Sequence, residues 1–147
     1  MSRRQETIEI QRDPEVVFDL VHDYAHRLQW DPFLSEARIL GGAAEAAPGV
    51  TTRCVARNGL AMETVYVSFN RPHTAAVKMT AGPAIFASFA ATWRQKTVRA
   101  GVTRVVYEYH LTGRPRWLRW LVDPLLCRVF SWETRRRLVA LKKALEK

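Results

Sequence analysis

Apolar and polar residues alternate through most of the middle of the chain, a pattern typical of β-strands that bury one face. The alternation predicts strands at residues 6–11, 37–40, 50–57, 61–70, 75–81, 85–96 and 102–112. Turn signals separate these segments, and Asn58-Gly59 is the strongest of them. Strands that follow one another through short turns pair as hairpins, so the pattern predicts an antiparallel sheet.

Helical spacing of apolar residues appears first near the start of the chain. Asp13 is a typical helix-capping residue, and Pro14 suits the first helical position because it loses no hydrogen bond there. The spacing predicts a helix that begins at Pro14 and ends at about Tyr24 or Ala25. The segment 30–33, Trp-Asp-Pro-Phe, predicts a second, one-turn helix.

The last quarter of the chain has a long apolar stripe at helical spacing. It runs from Leu118 through Leu121 and Leu125 to Leu145 and predicts one long C-terminal helix. Pro124 lies inside this stripe, and an interior proline usually kinks a helix. We therefore expect a bend near residues 120–123, or a separate short segment before the main helix.

The order of these elements predicts an α+β fold in a single domain spanning residues 1–147. A curved antiparallel sheet would be covered on one face by the C-terminal helix, with two short helices after the first strand. A chain of 147 residues, 48% of them hydrophobic, is large enough to form such a core without metals or disulfides.

Charge changes this picture in one respect. The net charge is +9, and residues 115–147 carry nine Lys or Arg against three Asp or Glu. A solvated helix face is the favoured interpretation, and an anionic membrane surface or a nucleic acid is the alternative. No signal peptide and no apolar run of membrane-spanning length is present, which favours a cytoplasmic, soluble protein.

Three segments resemble a known superfamily: residues 8–21 (IEIQRDPEVVFDLV), the block Trp-Asp-Pro-Phe at 30–33, and the ending RRLVALK at 136–142. Together with the element order, they are similar to the superfamily of the birch-pollen allergen, START lipid-transfer domains and aromatic polyketide cyclases. The polyketide cyclase/dehydrase branch is the best match. The resemblance implies the helix-grip fold, in which a seven-stranded sheet wraps around the last helix and leaves a ligand cavity between them.

Strand alternation then indicates which side chains face that cavity, because charged residues belong on the outer face. The resemblance places Trp30 and Phe33 at the cavity mouth. The C-terminal helix contributes Leu121 and Leu125 to the candidate ligand contacts. The candidate ligand-binding residues are Trp30, Phe33, Tyr66, Met79, Phe89, Trp93, Tyr107, Tyr109, Leu121 and Leu125. Tyrosine hydroxyls and indole N–H groups are the candidate polar contacts. For each residue the alternative is that it simply fills the core.

The sequence contains little that indicates metal or nucleophilic chemistry. His22 and His26 are one helical turn apart, but no third ligand follows, so we expect both on a helix surface and no metal site. Cys54 and Cys127 lack a nearby histidine and are expected to pack as small apolar residues. No phosphate-binding loop is present, and no cofactor is expected.

Two functions remain open. The favoured one is binding or transport of a hydrophobic small molecule or lipid in the cavity, without catalysis. The alternative is an enzyme similar to polyketide cyclases and dehydratases, which would act by orienting its substrate in the same cavity. Tyr107 and Arg53 are the candidate acid–base groups of such an enzyme, although an outward orientation is favoured for Arg53.

The basic C-terminal helix also predicts partners. Trp117 with Arg116 and Arg119 forms a candidate contact with an anionic membrane, because tryptophan and arginine together suit the lipid–water interface. No helix-turn-helix, zinc or RNA-binding signature supports a specific nucleic-acid partner. We expect a monomer or a weak homodimer.

Overall fold

The structure is a computed structural model that describes residues 2–146, with seven strands and two α-helices among them. The strands are β1 (Ser2–Ile10), β2 (Leu34–Ile39), β3 (Thr51–Ala56), β4 (Ala61–Asn70), β5 (Thr74–Ala81), β6 (Phe86–Arg99) and β7 (Val102–Gly113). The helices are α1 (Pro14–Val21) and α2 (Arg119–Leu145), and two short 3-10 helices lie at Arg27–Gln29 and Arg116–Leu118.

All seven strands form one antiparallel sheet in the order β1-β7-β6-β5-β4-β3-β2. Tight turns join β3 to β4 and β6 to β7, where Gly59 (φ 90°) and Gly101 (φ 73°) adopt the left-handed conformation that glycine accommodates without strain. β1 pairs with β7, so the first and last strands are neighbours. The sheet curls around α2, which packs against β1 and β7. This confirms the predicted architecture.

The predicted inward faces of β6 and β7 are confirmed. Phe89, Trp93, Val105 and Tyr109 are buried beneath α1 and α2. On the opposite face Glu108 bonds Arg3 through its carboxylate, as expected for the charged set. The alternation of charged and apolar residues therefore determines which side of the sheet receives the helices.

The helical segment after β1 differs from its prediction. α1 ends at Val21, earlier than expected, and the 3-10 helix Arg27–Gln29 ends where the one-turn helix was predicted to begin. The Asp31 side chain explains the difference, because it does not cap a following helix. It turns inward, where it accepts hydrogen bonds from Arg27 Nε (2.9 Å) and from the backbone N–H of Phe33 (3.0 Å).

α2 runs without interruption past Pro124, and the separate segment before it is the 3-10 helix Arg116–Leu118. Its first half is rotated relative to the prediction. The buried residues there are small or polar, namely Asp123, Cys127, Ser131 and Thr134. They face the large rings of the sheet: Tyr109 donates a hydrogen bond to the Cys127 carbonyl (3.2 Å) and is also hydrogen-bonded to Ser131 Oγ.

The rotation leaves the apolar stripe of this half-helix in solvent. Together with the exposed tryptophan of the preceding 3-10 helix, we call it the exposed strip, and its residues are Trp117, Trp120, Leu121, Leu125, Val129 and Trp132. Trp117 and Trp120 are 75% and 74% exposed. Within residues 2–146, α2 and the other helices are too short or too polar to cross a membrane.

Candidate ligand-binding site

A cavity of about 90 Å³ lies between the sheet, the end of α1 and the second half of α2. Its apolar wall comes from Val21, Val77, Trp93 and Leu138 together with Ala75 and Ala91. Its polar wall comes from His22, Tyr24, Arg27, Trp30, Tyr66, Tyr107, Thr134 and Arg137. The volume is below the roughly 300–1,000 Å³ of a typical small-molecule pocket, so in this conformation the cavity admits only a small group.

Two arginines from opposite ends of the chain meet beside this cavity. Arg27 Nε lies 2.9 Å from Asp31 Oδ2, and Arg137 Nε and Nη2 lie 3.1 Å and 3.0 Å from the same oxygen. The Asp31 side chain is 0% exposed, and those of Arg27 and Arg137 are 11% and 16% exposed. We call these three residues the Arg–Asp–Arg cluster.

The charges of this cluster stabilise one another. Burial alone would raise the pKa of Asp31, but the guanidinium groups of Arg137 and Arg27 outweigh it and hold that pKa below its usual value. Burial would lower the pKa of Arg27, and the Asp31 carboxylate reverses this and raises it. Asp31 and Arg27 are therefore both charged at neutral pH. The aromatic rings of Trp30 and Phe33 lie against the two guanidinium groups, at 5.0 Å and 5.2 Å.

A second polar group lies across the cavity, at the end of α1. The Tyr66 hydroxyl lies 2.8 Å from His22 Nδ1 and 3.1 Å from the Tyr24 hydroxyl. The His22 ring packs against the rings of Phe18, Tyr66, Phe69 and Trp93. Desolvation lowers its pKa to about 3, with a further contribution from the Arg27 charge and a small opposing one from Asp19. Burial raises the pKa of Tyr66 far above its usual value.

The buried imidazole makes stability depend on pH. Because His22 has a pKa of about 3 in the folded protein and 6.5 ordinarily, the unfolded chain binds its proton first as pH falls. The contribution of the neutral His22 ring to the free energy of unfolding is complete above about pH 6.5. It decreases towards about pH 3, by up to about 1.4 kcal/mol per pH unit. Urea unfolding between about pH 7.5 and about pH 4.5 should show the free energy of unfolding of the natural protein falling relative to that of His22→Gln. Parallel curves for the two proteins would contradict a buried neutral imidazole.

The structure brings together some of the candidate ligand residues and separates the others. Four of them line the cavity: Trp30, Tyr66, Trp93 and Tyr107. Met79, Phe89 and Tyr109 belong to a second core cluster near Cys127, and Phe33 lies half-buried against Arg137. Whether the four cavity residues contact a ligand remains a prediction.

The expectation that Leu121 and Leu125 face a ligand is wrong. They are 45% and 52% exposed and belong to the exposed strip. The physical reason is the rotation of α2, which turns small residues, not leucines, towards the rings of the sheet. Of the predicted membrane contacts, Arg116 and Trp117 are exposed, whereas Arg119 Nε donates a hydrogen bond to the Gly113 carbonyl (2.9 Å).

The sequence pattern did not indicate His22, Arg27 and Arg137 as site residues. His22 was expected on the helix surface, but its Nε2 is buried. A signal was present, because residues four apart share a helix face and Phe18 is buried. No local signal pointed to the two arginines, which contact the same carboxylate from positions 4 and 106 residues away from it.

A wider cleft adjoins the cavity on the outer side of α1. It has a volume of about 460 Å³ and is lined by residues of α1, the loop after β2 and the end of β4. His22 and Tyr24 line both the cleft and the inner cavity. The two spaces therefore meet at these two side chains.

Comparison with known families gives one match that covers nearly the whole chain. The family model described as "Polyketide cyclase / dehydrase and lipid transport" matches residues 1–146. A search of curated proteins finds no match.

Solved structures with the same architecture are numerous. The Zhui aromatase/cyclase from Streptomyces sp. R1128 superposes with a TM-score of 0.83 at 16% identity, over 99% of this chain and 93% of that one. A START superfamily protein from Mycobacterium smegmatis gives 0.82 at 13% identity, over 98% and 97%. The major latex-like protein 151 from Panax ginseng gives 0.77 at 10% identity, over 98% and 97%. Identities this low establish a shared fold and leave the ligand open.

Proposed function

The chain belongs to the polyketide cyclase/dehydrase and lipid transport family, and on this premise we propose that it binds a hydrophobic small molecule between the sheet and α2. Apolar side chains form one wall of the cavity there, including Trp93 and Leu138. A few polar groups on the other wall would fix the orientation of the ligand, as is usual in small-molecule sites.

One observation favours binding over catalysis. General acid–base catalysis works best when the pKa of the catalytic group lies near the working pH. In this cavity burial moves pKa values the other way: that of His22 falls to about 3, and those of Tyr66 and Tyr107 rise. These groups stay neutral at pH 7 and serve as hydrogen-bonding contacts. A cyclase-like enzyme that added general acid–base catalysis to substrate orientation would need at least one of them to exchange a proton with the substrate.

The test is native mass spectrometry of freshly purified protein, followed by solvent extraction and identification of any bound molecule. Under the proposal the protein carries a stoichiometric apolar molecule and releases it chemically unchanged. Recovery of a cyclised or dehydrated product after incubation with a polyketide-type substrate would instead establish the enzymatic alternative.

A cavity-filling variant makes this test specific to the site. Ala91 is 4% exposed and lines the cavity, and leucine at this position adds a side-chain volume comparable to the cavity itself. We expect Ala91→Leu to lose the copurified molecule. Ala90→Leu, on the preceding residue of β6 and outside the cavity lining, is the matched control and should keep the copurified molecule. Equal retention by both variants would place the ligand elsewhere.

The exposed strip supports a second proposal, that the chain makes peripheral contact with anionic membranes. Tryptophan, leucine and valine side chains lie in solvent on α2 and the 3-10 helix before it, and such apolar patches mark interaction sites. Arginines border the strip, and Arg116, Arg128 and Arg136 are exposed. The Arg136 guanidinium lies 4.8 Å from the ring centre of Trp132. Cations beside interfacial tryptophans complement anionic lipid headgroups.

Vesicle sedimentation tests this contact. We expect the protein to sediment with phosphatidylcholine vesicles that contain phosphatidylserine, and much less with phosphatidylcholine alone. Raising the salt concentration should weaken the binding, because salt screens the attraction between the arginines and the lipid surface. Salt-independent dimerisation without vesicle binding would identify the strip as a contact between two copies of the chain.

A further inference from the structure

The Arg–Asp–Arg cluster leaves the cavity with an excess positive charge. Two guanidinium groups share the single carboxylate of Asp31, and all three side chains are buried or nearly so. Among the described residues that line the cavity, none is an aspartate or a glutamate. A buried charge without a partner is costly, so the site favours a ligand that brings a negative charge.

Unpartnered polar atoms indicate the same kind of ligand. In the described part of the chain, the buried side-chain nitrogen and oxygen atoms that lack a hydrogen-bond partner belong to His22 (Nε2), Trp30 (Nε1) and Thr134 (Oγ1). All three residues line this cavity. The indole N–H is only a donor, and the hydroxyl can donate. Donors around a positive site match a group rich in acceptors, such as a carboxylate.

The dimensions of the site indicate where each part of such a ligand would lie. The inner cavity, at about 90 Å³, has the volume of roughly three water molecules and can take a carboxylate but not a large apolar body. The cleft of about 460 Å³ meets the cavity at His22 and Tyr24. Its lining is apolar at Phe18, Ile39, Ala44, Ala46 and Phe69 and charged at Asp19, Asp23, Glu45 and Arg71. The Tyr24 hydroxyl contacts Tyr66 at 3.1 Å, and rotation of the Tyr24 side chain would join the two spaces. Their joint volume falls within the range of small-molecule pockets, roughly 300–1,000 Å³.

We propose that the ligand is an amphiphilic carboxylate whose anionic group lies in the inner cavity beside Arg27 and Arg137. Its apolar part extends past Tyr24 towards the apolar residues of the cleft, which include Phe18, Ile39 and Phe69. The proposal rests on the proposed function, since it names the chemical class of the bound molecule and assigns its polar end to the inner cavity.

Matched ligands that differ only in charge test this inference. 2-Naphthoate and 2-naphthalenemethanol have the same ring system, and their binding is measured by isothermal titration calorimetry at pH 7. We expect the carboxylate to bind about 10–100-fold more tightly, the difference typical of hydrogen bonds to a charged group. Equal affinities would overturn the inference and leave the proposed function standing. Failure of both compounds, and of a decanoate and decanol pair, would overturn both.

Variants locate the anionic subsite. Arg137→Met leaves Asp31 paired with Arg27, so the cluster becomes neutral, and we expect the preference for the carboxylate to disappear. Arg136→Met is the matched control, because Arg136 is the preceding residue of α2, is exposed and pairs with Glu133 at 3.4 Å. It should keep the preference. If Arg137→Met does not fold, Trp30→Phe removes the indole N–H and should reduce carboxylate affinity several-fold. An unchanged preference in Arg137→Met, or an unchanged carboxylate affinity in Trp30→Phe, would contradict the proposal.

Discussion

Replacing Asp31 with asparagine is expected to lower the free energy of unfolding by roughly 3–5 kcal/mol, the cost typical of removing one partner from a buried ion pair. Asparagine keeps the shape of the side chain and can still accept the backbone N–H of Phe33. It removes the negative charge that Arg27 and Arg137 share, and both guanidinium groups remain largely out of solvent. The loss therefore reports uncompensated charge and not altered packing. Urea denaturation followed by tryptophan fluorescence at pH 7 measures it.

An exposed ion pair provides the control. Asp19 bonds Arg71 through two short contacts, 2.6 Å and 2.8 Å, but the two side chains are 54% and 51% exposed. Water and salt screen such pairs, so Asp19→Asn should cost less than about 1 kcal/mol. If the two variants lost equal stability, the Arg–Asp–Arg cluster would not be the buried network described above.

The sheet was predictable because the alternation of polar and apolar residues within a strand indicates which of its faces is buried. On β7 charged residues such as Arg104 alternate with apolar ones such as Val105, and a one-residue shift would turn the charges towards the helices. Strong turn residues then set the hairpins, and the order of the elements followed. The helix-grip resemblance added the one feature that alternation does not contain, namely that the sheet curls around α2.

The first half of α2 was not predictable in the same way. Residues 121, 125 and 129 form one stripe and residues 123, 127 and 131 another, and both satisfy helical spacing. Hydropathy favours the first stripe, yet the second is buried. The choice depends on Tyr109 and Phe89, whose rings fill the space across the interface and leave room only for small side chains. The Arg–Asp–Arg cluster was hidden for a related reason, since its members meet only after the sheet has curled.

The orientation of α2 gives the second large expected effect. The double variant Trp117→Ser/Trp120→Ser should reduce partitioning onto phosphatidylserine-containing vesicles by on the order of 100-fold, because full burial of one large apolar side chain is worth about 1.5–3 kcal/mol. Both indoles are about three-quarters exposed, so their removal opens no cavity in the core. The thermal unfolding midpoint should therefore stay close to that of the natural protein.

A second exposed pair separates a specific membrane contact from general surface hydrophobicity. Leu60 and Val67 are 51% and 53% exposed, but they lie on the turn before β4 and on β4, outside the exposed strip. Leu60→Ser/Val67→Ser removes apolar surface without touching α2 and should leave vesicle binding within about twofold, because the apolar face that enters the lipid is intact. Equal losses in both double variants would mean that any apolar surface of this basic chain adheres to lipid, and the exposed strip would then have no specific role.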